Sequence, residues 1–74
     1  MTMHEIGTNA GTIWNLLSDN NNWSYSQLQE ESGLSDSKLN AAIGWLAREN
    51  KIEINEDRDT GTDTFHNPHY NQYF

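Results

Sequence analysis

Residues 25–54 carry the clearest alternation of apolar and polar positions in this chain of 74 residues. Apolar side chains recur every three or four positions in two stretches, the spacing that gathers them on one face of an α-helix. Gly33 separates the stretches, at a corner that needs a residue tolerant of positive φ. The pattern predicts two helices joined by a tight turn and followed by a strand. Its apolar positions are Leu28, Leu34, Leu39, Ala42, Ile43, Leu46 and Ala47.

Met1 to Asp19 shows the same spacing and predicts an amphipathic first helix. Gly7 and Gly11 each weaken that helix by roughly 1 kcal/mol relative to alanine. Small residues there could also let a neighbouring helix or a partner chain approach closely. Trp14 lies beside the stripe, either as an aromatic at the edge of the core or as an interface anchor. The stripe consists of Ile6, Ala10, Ile13, Leu16 and Leu17.

Turn and cap residues divide the predicted elements. Ser18–Asn22 stops the first helix, and the alternation in Trp23–Tyr25 indicates a very short strand. The second helix is expected to begin at Gln27, with Ser26 as its N-cap in a capping-box pattern. Ser35 is the expected N-cap of the third helix, because an acidic residue follows it in the first turn.

The third predicted helix runs to about Glu49 and has two faces when its residues are placed at 100° intervals. One face is the apolar stripe that should pack on the core: Leu39, Ala42, Ile43, Leu46 and Ala47. The opposite face is the candidate recognition face: Ser37, Lys38, Ala41, Gly44, Trp45 and Arg48.

The residues after this helix predict a β-hairpin. Asn50 suits a left-handed cap, and alternation in Lys51–Glu56 predicts a strand with Ile52 and Ile54 facing inward. The polar Asp57–Asp63, with its glycine, fits the hairpin tip. The returning strand is Thr64, Phe65 and His66, with the phenylalanine packed back on one of the isoleucines.

Composition predicts one small folded domain with frayed ends. Hydrophobic residues make up 34% of the chain, but three Trp, three Tyr and two Phe provide large apolar side chains. We expect a domain over residues 1–67 and a tail over 68–74. The absence of cysteine excludes disulfides and thiolate metal sites. No apolar run approaches the roughly 20 residues of a membrane span, and no signal peptide is recognisable, so we expect a cytoplasmic protein.

The predicted order of elements resembles that of a winged helix-turn-helix. This order is helix, short strand, helix, glycine corner, helix, strand, wing and strand. The run SQLQEESGLSDSKLNAAIGWLARENKI is similar to the second helix, third helix and following strand of bacterial winged-helix domains. Two segments resemble a family of very small stand-alone bacterial winged-helix proteins of uncharacterised function. They are AIGWLARENKI and, more loosely, GTNAGTIWNLL. The resemblance extends to about Glu56. It implies an α+β winged helix-turn-helix with the third helix as recognition helix.

That resemblance suggests a DNA-binding, transcription-regulatory module. The third helix would enter the major groove, and a basic residue on the wing would reach the backbone or the minor groove. The residues for these contacts are Ser37, Lys38, Ala41, Arg48 and Arg58. Four Lys+Arg against eleven Asp+Glu give a net charge of −7, whereas DNA-binding surfaces are normally basic. A dimer or a basic partner would ease this conflict.

The alternative is an acidic winged helix used for homodimerisation or protein binding without DNA. Trp45, next to Ala41 and Gly44, suits an interface hot spot, or it folds against the wing or the tail. The candidate interface residues are Trp14, Trp45, Tyr70, Tyr73 and Phe74.

Catalytic and metal-binding hypotheses have little support. His66 and His69 have a metal-compatible spacing but lack a third ligand. Asp57–Asp63 imitates part of a calcium loop without its terminal bidentate glutamate. The acidic residues are scattered over caps and the wing, which indicates a solvated surface. We therefore expect no enzyme activity, no cofactor, no metal, no small-molecule substrate and no membrane partner.

Overall fold

The computed structural model describes residues 1–19 and 21–68, which form three helices and one three-stranded antiparallel sheet. The strands lie in the order β1-β3-β2, so β3 is central and β2 is an edge strand. This is the α+β winged helix-turn-helix expected from the sequence. The elements are α1 (Met3–Leu16) with a 3₁₀ turn (Leu17–Asp19), β1 (Trp23–Ser24), α2 (Tyr25–Ser32), α3 (Asp36–Arg48), β2 (Glu53–Asp57) and β3 (Thr62–His66).

One apolar core holds the helices to the sheet. It forms where the buried faces of α1 and α3 meet, and Leu28 from α2 and Phe65 from β3 close it. Leu34, just after the corner, is half-buried and packs against this core, as predicted. The buried side chains are Ala10, Ile13, Leu17, Leu28, Leu39, Ala42, Ile43, Leu46, Ile52 and Phe65.

Helix α2 begins earlier than predicted, and Ser26 is not its N-cap. Ser24 has extended backbone angles, φ −79° and ψ 162°, because it ends the short strand β1. Its Oγ accepts a hydrogen bond from the Gln27 N–H at 3.1 Å, and the Gln27 Oε1 accepts one from the Ser24 N–H at 2.9 Å. This reciprocal capping box fixes Tyr25 as the first helical residue. The strand therefore leads directly into the helix.

The corner between α2 and α3 agrees with the prediction. Gly33 has φ +71°, and its N–H donates to the Gln29 carbonyl at 2.9 Å. A side chain at this φ is disfavoured, which explains the glycine. Ser35 caps α3, its Oγ accepting a hydrogen bond from the Lys38 N–H at 3.4 Å.

Most of the predicted faces of α3 are confirmed, with two corrections. Ala47 is exposed, because it lies about 80° around the helix from Leu39, at the edge of the buried stripe. Trp45, assigned to the outward face, is half-buried and packs against the core. The large indole also lines the groove between α1 and α3.

The wing follows Asn50, whose φ of +59° ends the helical segment as predicted. Ile52 is buried as predicted, whereas Ile54 is on the predicted inward face but remains 45% exposed. Ile54 pairs with Phe65 in the β2–β3 register and shares its face of the sheet. All five residues of the edge strand β2 are exposed, so the core does not cover this strand.

The glycine of the predicted hairpin tip is confirmed, but the turn is shorter than predicted, because β2 extends to Asp57 and β3 begins at Thr62. Gly61 has φ +70°, and its N–H donates to the Asp57 carbonyl at 2.7 Å across the four-residue turn. Residues 69–74 lie outside the described residues, so the division into a domain over 1–67 and a tail over 68–74 stays a prediction. No helix in the described part of the chain has the length and apolar character needed to cross a membrane.

Candidate functional site

The candidate recognition face is the outward side of α3. Ser37, Lys38 and Arg48 are exposed there, and Gly44 lies between the two basic residues. Ala41 is half-buried, so it presents only part of its methyl group. With a rise of 1.5 Å per residue, Lys38 and Arg48 are separated by about 15 Å along the helix. The face thus has a cation near each end and small side chains between them.

A hydrogen-bond network holds the beginning of α3 against α2. The Tyr25 hydroxyl donates to the Asp36 Oδ1 at 2.9 Å, and the Gln29 amide donates to the same oxygen at 2.8 Å. These bonds, the one from Tyr25 first, hold the pKa of Asp36 below its ordinary value. Desolvation, followed by the nearby carboxylate, raises the pKa of Tyr25. The network fixes the angle of the corner and keeps a negative charge at the leading end of α3.

Lys38 is shared between the recognition face and α1. Its Nζ lies 3.9 Å from the Glu5 Oε2, and both side chains are substantially exposed. An exposed pair at this distance contributes little and can exchange with another anion. No local pattern marks Glu5, because its contact joins elements more than 30 positions apart in the sequence.

The wing carries Arg58 at its exposed tip, between two acidic residues. The Asp57 carboxylate accepts a hydrogen bond from the Asp59 N–H at 2.9 Å, so both lie at the turn. Glu56 and Asp63 are directly opposite each other in the β2–β3 register. Like charges in such a pair repel each other. Negative charge therefore surrounds the single positive charge of the tip.

A second surface lies between α1 and α3. Trp14 and Trp45, both predicted as interface residues, line one groove of about 140 Å³. Gly7, Gly11 and Lys51 also line this groove. Trp14 is 37% exposed. The other predicted interface residues lie outside the described residues: Tyr70, Tyr73 and Phe74.

One cavity of the described residues lies beside Trp23. Its volume is about 390 Å³, and its walls are polar and acidic. In it the Trp23 indole N–H donates to the Asp19 carboxylate at 3.0 Å and lowers the pKa of that group. Within residues 1–19 and 21–68, no three His, Cys, Asp or Glu side chains cluster to hold a metal. His66 Nδ1 lies 3.1 Å from the Asn55 amide nitrogen, and His69 lies outside the described residues.

Three helices, a glycine corner and a β-hairpin wing define a winged helix-turn-helix protein. A family model described as "Winged helix-turn-helix domain (DUF2582)" matches residues 1–64. The chain belongs to this family, as the resemblance of the helices and first wing strand implied. A winged helix is typically a non-enzymatic fold, and such domains commonly bind DNA or other proteins.

A solved structure supports the same assignment. The chain is similar to the solution NMR structure of protein BT2368 from Bacteroides thetaiotaomicron, with a TM-score of 0.80 and 33% identity. The match covers 100% of this chain and 89% of that one. Comparison with curated proteins gives no match.

Proposed function

We propose that this chain is a non-enzymatic winged-helix module of DNA-binding, transcription-regulatory type. The observation that carries the proposal is the exposed outward face of α3, with a cation near each end. Lys38 and Arg48 lie about 15 Å apart along the helix axis, and the major groove is about 12 Å wide. With the helix lying in the groove, a cation near each end can approach backbone phosphates at that end of the contact.

The residues between these cations suit a close approach to the bases. Ala41 and Gly44 present little bulk, and the Ser37 hydroxyl can donate to or accept from a base edge. Arg58 is exposed at the tip of the wing, from which it would contact a phosphate or the minor groove. Phosphate contacts position such a protein, and contacts to base edges give its specificity.

The acidic surface weakens this binding. Asp36 at the leading end of α3 and the carboxylates around Arg58 repel phosphate, and Glu5 competes for Lys38. Each phosphate contact contributes about −0.9 to the slope of log affinity against log salt. Contacts by Lys38, Arg48 and Arg58 give a slope near −3. Binding should therefore be modest and detectable mainly at low salt.

Fluorescence anisotropy of a labelled DNA duplex, titrated with protein at several salt concentrations, tests the proposal. Arg48→Gln should weaken binding and make the salt slope shallower by about 1, because one phosphate contact is lost. Lys51→Gln is the matched control, since it removes the same charge beside the α1–α3 groove instead. Glu5→Gln should tighten binding about two- to fivefold, the effect of releasing Lys38 from an exposed pair.

Comparison of the two variants distinguishes DNA binding at the α3 face from general electrostatic attraction by net charge. A larger loss for Arg48→Gln than for Lys51→Gln supports the α3 face as the DNA-binding surface. Equal losses would indicate general electrostatic attraction, and no binding at about 20 mM salt would reject DNA as a ligand.

A second candidate is protein binding without DNA. Glu56 opposite Asp63, and two aspartates beside Arg58, make the wing a surface that favours a basic polypeptide over a polyanion. Titration with polylysine would then shift wing amide resonances, while a DNA duplex leaves α3 unchanged at every salt concentration.

A further inference from the structure

The solvent-facing side of α1 differs in charge from the rest of the molecule. Although the chain contains eleven Asp and Glu, α1 contains only Glu5, which is paired with Lys38. We call the remaining solvent-facing residues the α1 face. With histidine neutral, none of them carries a formal charge. They are Met3, His4, Gly7, Thr8, Gly11, Thr12, Trp14 and Asn15.

The α1 face is also more apolar than its composition indicates. Met3 is 64% and Trp14 is 37% exposed, placing both among the exposed large hydrophobic side chains of the described residues. The Thr8 hydroxyl donates to the His4 carbonyl at 3.0 Å, and the Thr12 hydroxyl donates to the Thr8 carbonyl at 3.3 Å. Because both hydroxyls turn back to the helix backbone, the threonine methyl groups face solvent.

The shape of the α1 face combines a projection at Trp14 with a depression at Gly7 and Gly11. Met3, Gly7, Gly11 and Trp14 lie within about 80° of one another around the helix and form one stripe. No atom lies within 4 Å of a Cβ built on either glycine, so the stripe is open to solvent there. These glycines and Trp14 line the groove of about 140 Å³.

We propose that the α1 face binds a second copy of the chain, with the two α1 helices antiparallel across a twofold axis. A two-fold axis near Ala10 and Gly11 places Trp14 of each copy opposite Gly7 of the other. In an isologous interface the same patch must complement itself. Here the projecting Trp14 and the depression at Gly7 lie on the same stripe, at equal distances from that axis.

Charge favours a second copy on this face over the other faces. Two chains of net charge −7 repel each other wherever their carboxylates meet, as they would through α2 or through the wing. Contact through the α1 face avoids this repulsion and buries exposed indole and methionine. A basic partner would gain nothing from an uncharged face and would bind the acidic surfaces instead.

The expected affinity is low. A helix of 14 residues is about 21 Å long, so one helix pair buries less than the roughly 1,200 Å² of a standard interface. We therefore expect a dissociation constant in the micromolar range or weaker. Screening of the remaining repulsion should strengthen the dimer as salt rises, whereas salt weakens DNA binding. Either proposal can thus fail without the other.

Sedimentation equilibrium of the full chain, from about 10 μM to about 1 mM, tests the proposal. Gly11→Glu puts a carboxylate beside the twofold axis and should raise the dissociation constant at least tenfold. Gly44→Glu is the matched control. It also replaces an exposed helical glycine that has no atom within 4 Å of an added Cβ, and it changes the net charge equally. This control should change self-association less than twofold.

Folding of both variants is checked by circular dichroism, and each should gain helix stability, since glutamate is a better helix former than glycine. A concentration-dependent mass that Gly11→Glu alone abolishes supports the α1 dimer. A monomer at every concentration overturns it, whether the face is then free or covered by another partner or by the chain's own terminus. Equal effects of the two variants also overturn it.

Discussion

The two isoleucines of the wing should differ sharply in their contributions to stability. Ile52 is 6% exposed and belongs to the core, whereas Ile54, two positions later, is 45% exposed on the edge strand. Strand alternation alone would assign both to the same buried face and predict similar costs of replacement. The pair Ile52→Ala and Ile54→Ala therefore tests where the core ends.

The expected costs follow from the burial of the two side chains. Isoleucine to alanine removes three carbon groups, each worth about 0.8 kcal/mol when buried. Scaling by burial gives about 2.3 kcal/mol for Ile52 and about 1.3 kcal/mol for Ile54. A cavity adds to the first value but not to the second, since water fills an open site. We expect about 3 kcal/mol for Ile52→Ala and about 1 kcal/mol for Ile54→Ala.

Urea unfolding followed by circular dichroism measures this difference. A chain of 74 residues has a free energy of unfolding of about 4 to 11 kcal/mol, so both variants should remain folded in water if the wild type is near the middle of that range. With a denaturant slope of about 1 kcal/mol per molar, the two midpoints should differ by about 2 M. Dilute protein avoids any contribution from self-association.

Equal slopes and midpoints within about 0.5 M of each other would refute this placement of the core boundary. The same result would show that Ile54 is covered in solution, by a partner or by the rest of the chain.

Three further predictions concern caps and the corner. Ser24→Ala should destabilise the protein by about 1 kcal/mol and Ser26→Ala should not, because only Ser24 caps α2; urea unfolding measures both. Gly33→Ala should cost about 1 to 2 kcal/mol in the same assay, since alanine is strained at a φ of +71°. Tyr25→Phe should raise the pKa of Asp36 toward 3.8, as followed by carbon NMR of its carboxyl group, and an unchanged pKa would exclude the hydrogen bond as the cause. Because folding lowers this pKa, the network stabilises the protein above about pH 4 and loses that contribution as the pH falls below 3.8.

Local signals account for what the sequence predicted correctly. Helical spacing identified the buried stripes of α1 and α3, and Gly33, Ser35 and Gly61 marked a corner, a cap and a hairpin tip. Each of these features depends on a few neighbouring residues, whose conformational preferences are written in the side chains themselves.

The errors arose where distant elements meet. Ser24 was missed as N-cap because the end of strand β1, paired with β3, decides where α2 can begin. The exposure of Ile54 follows from strand order, which alternation does not encode. The pairing of Lys38 with Glu5 joins α3 to α1, and no local pattern marks it. For the candidate site, the sequence identified the exposed cations Lys38 and Arg48 but not Glu5, which pairs with Lys38.

A nitrogen–proton NMR titration of the labelled protein with a DNA duplex at low salt tests the central claim most directly. We expect chemical shift changes, reversed by added salt, at the backbone amides of Ser37, Lys38, Ala41, Arg48 and Arg58, while the amides of the α1 face remain unchanged. An unchanged α3, or changes confined to α1, would contradict it.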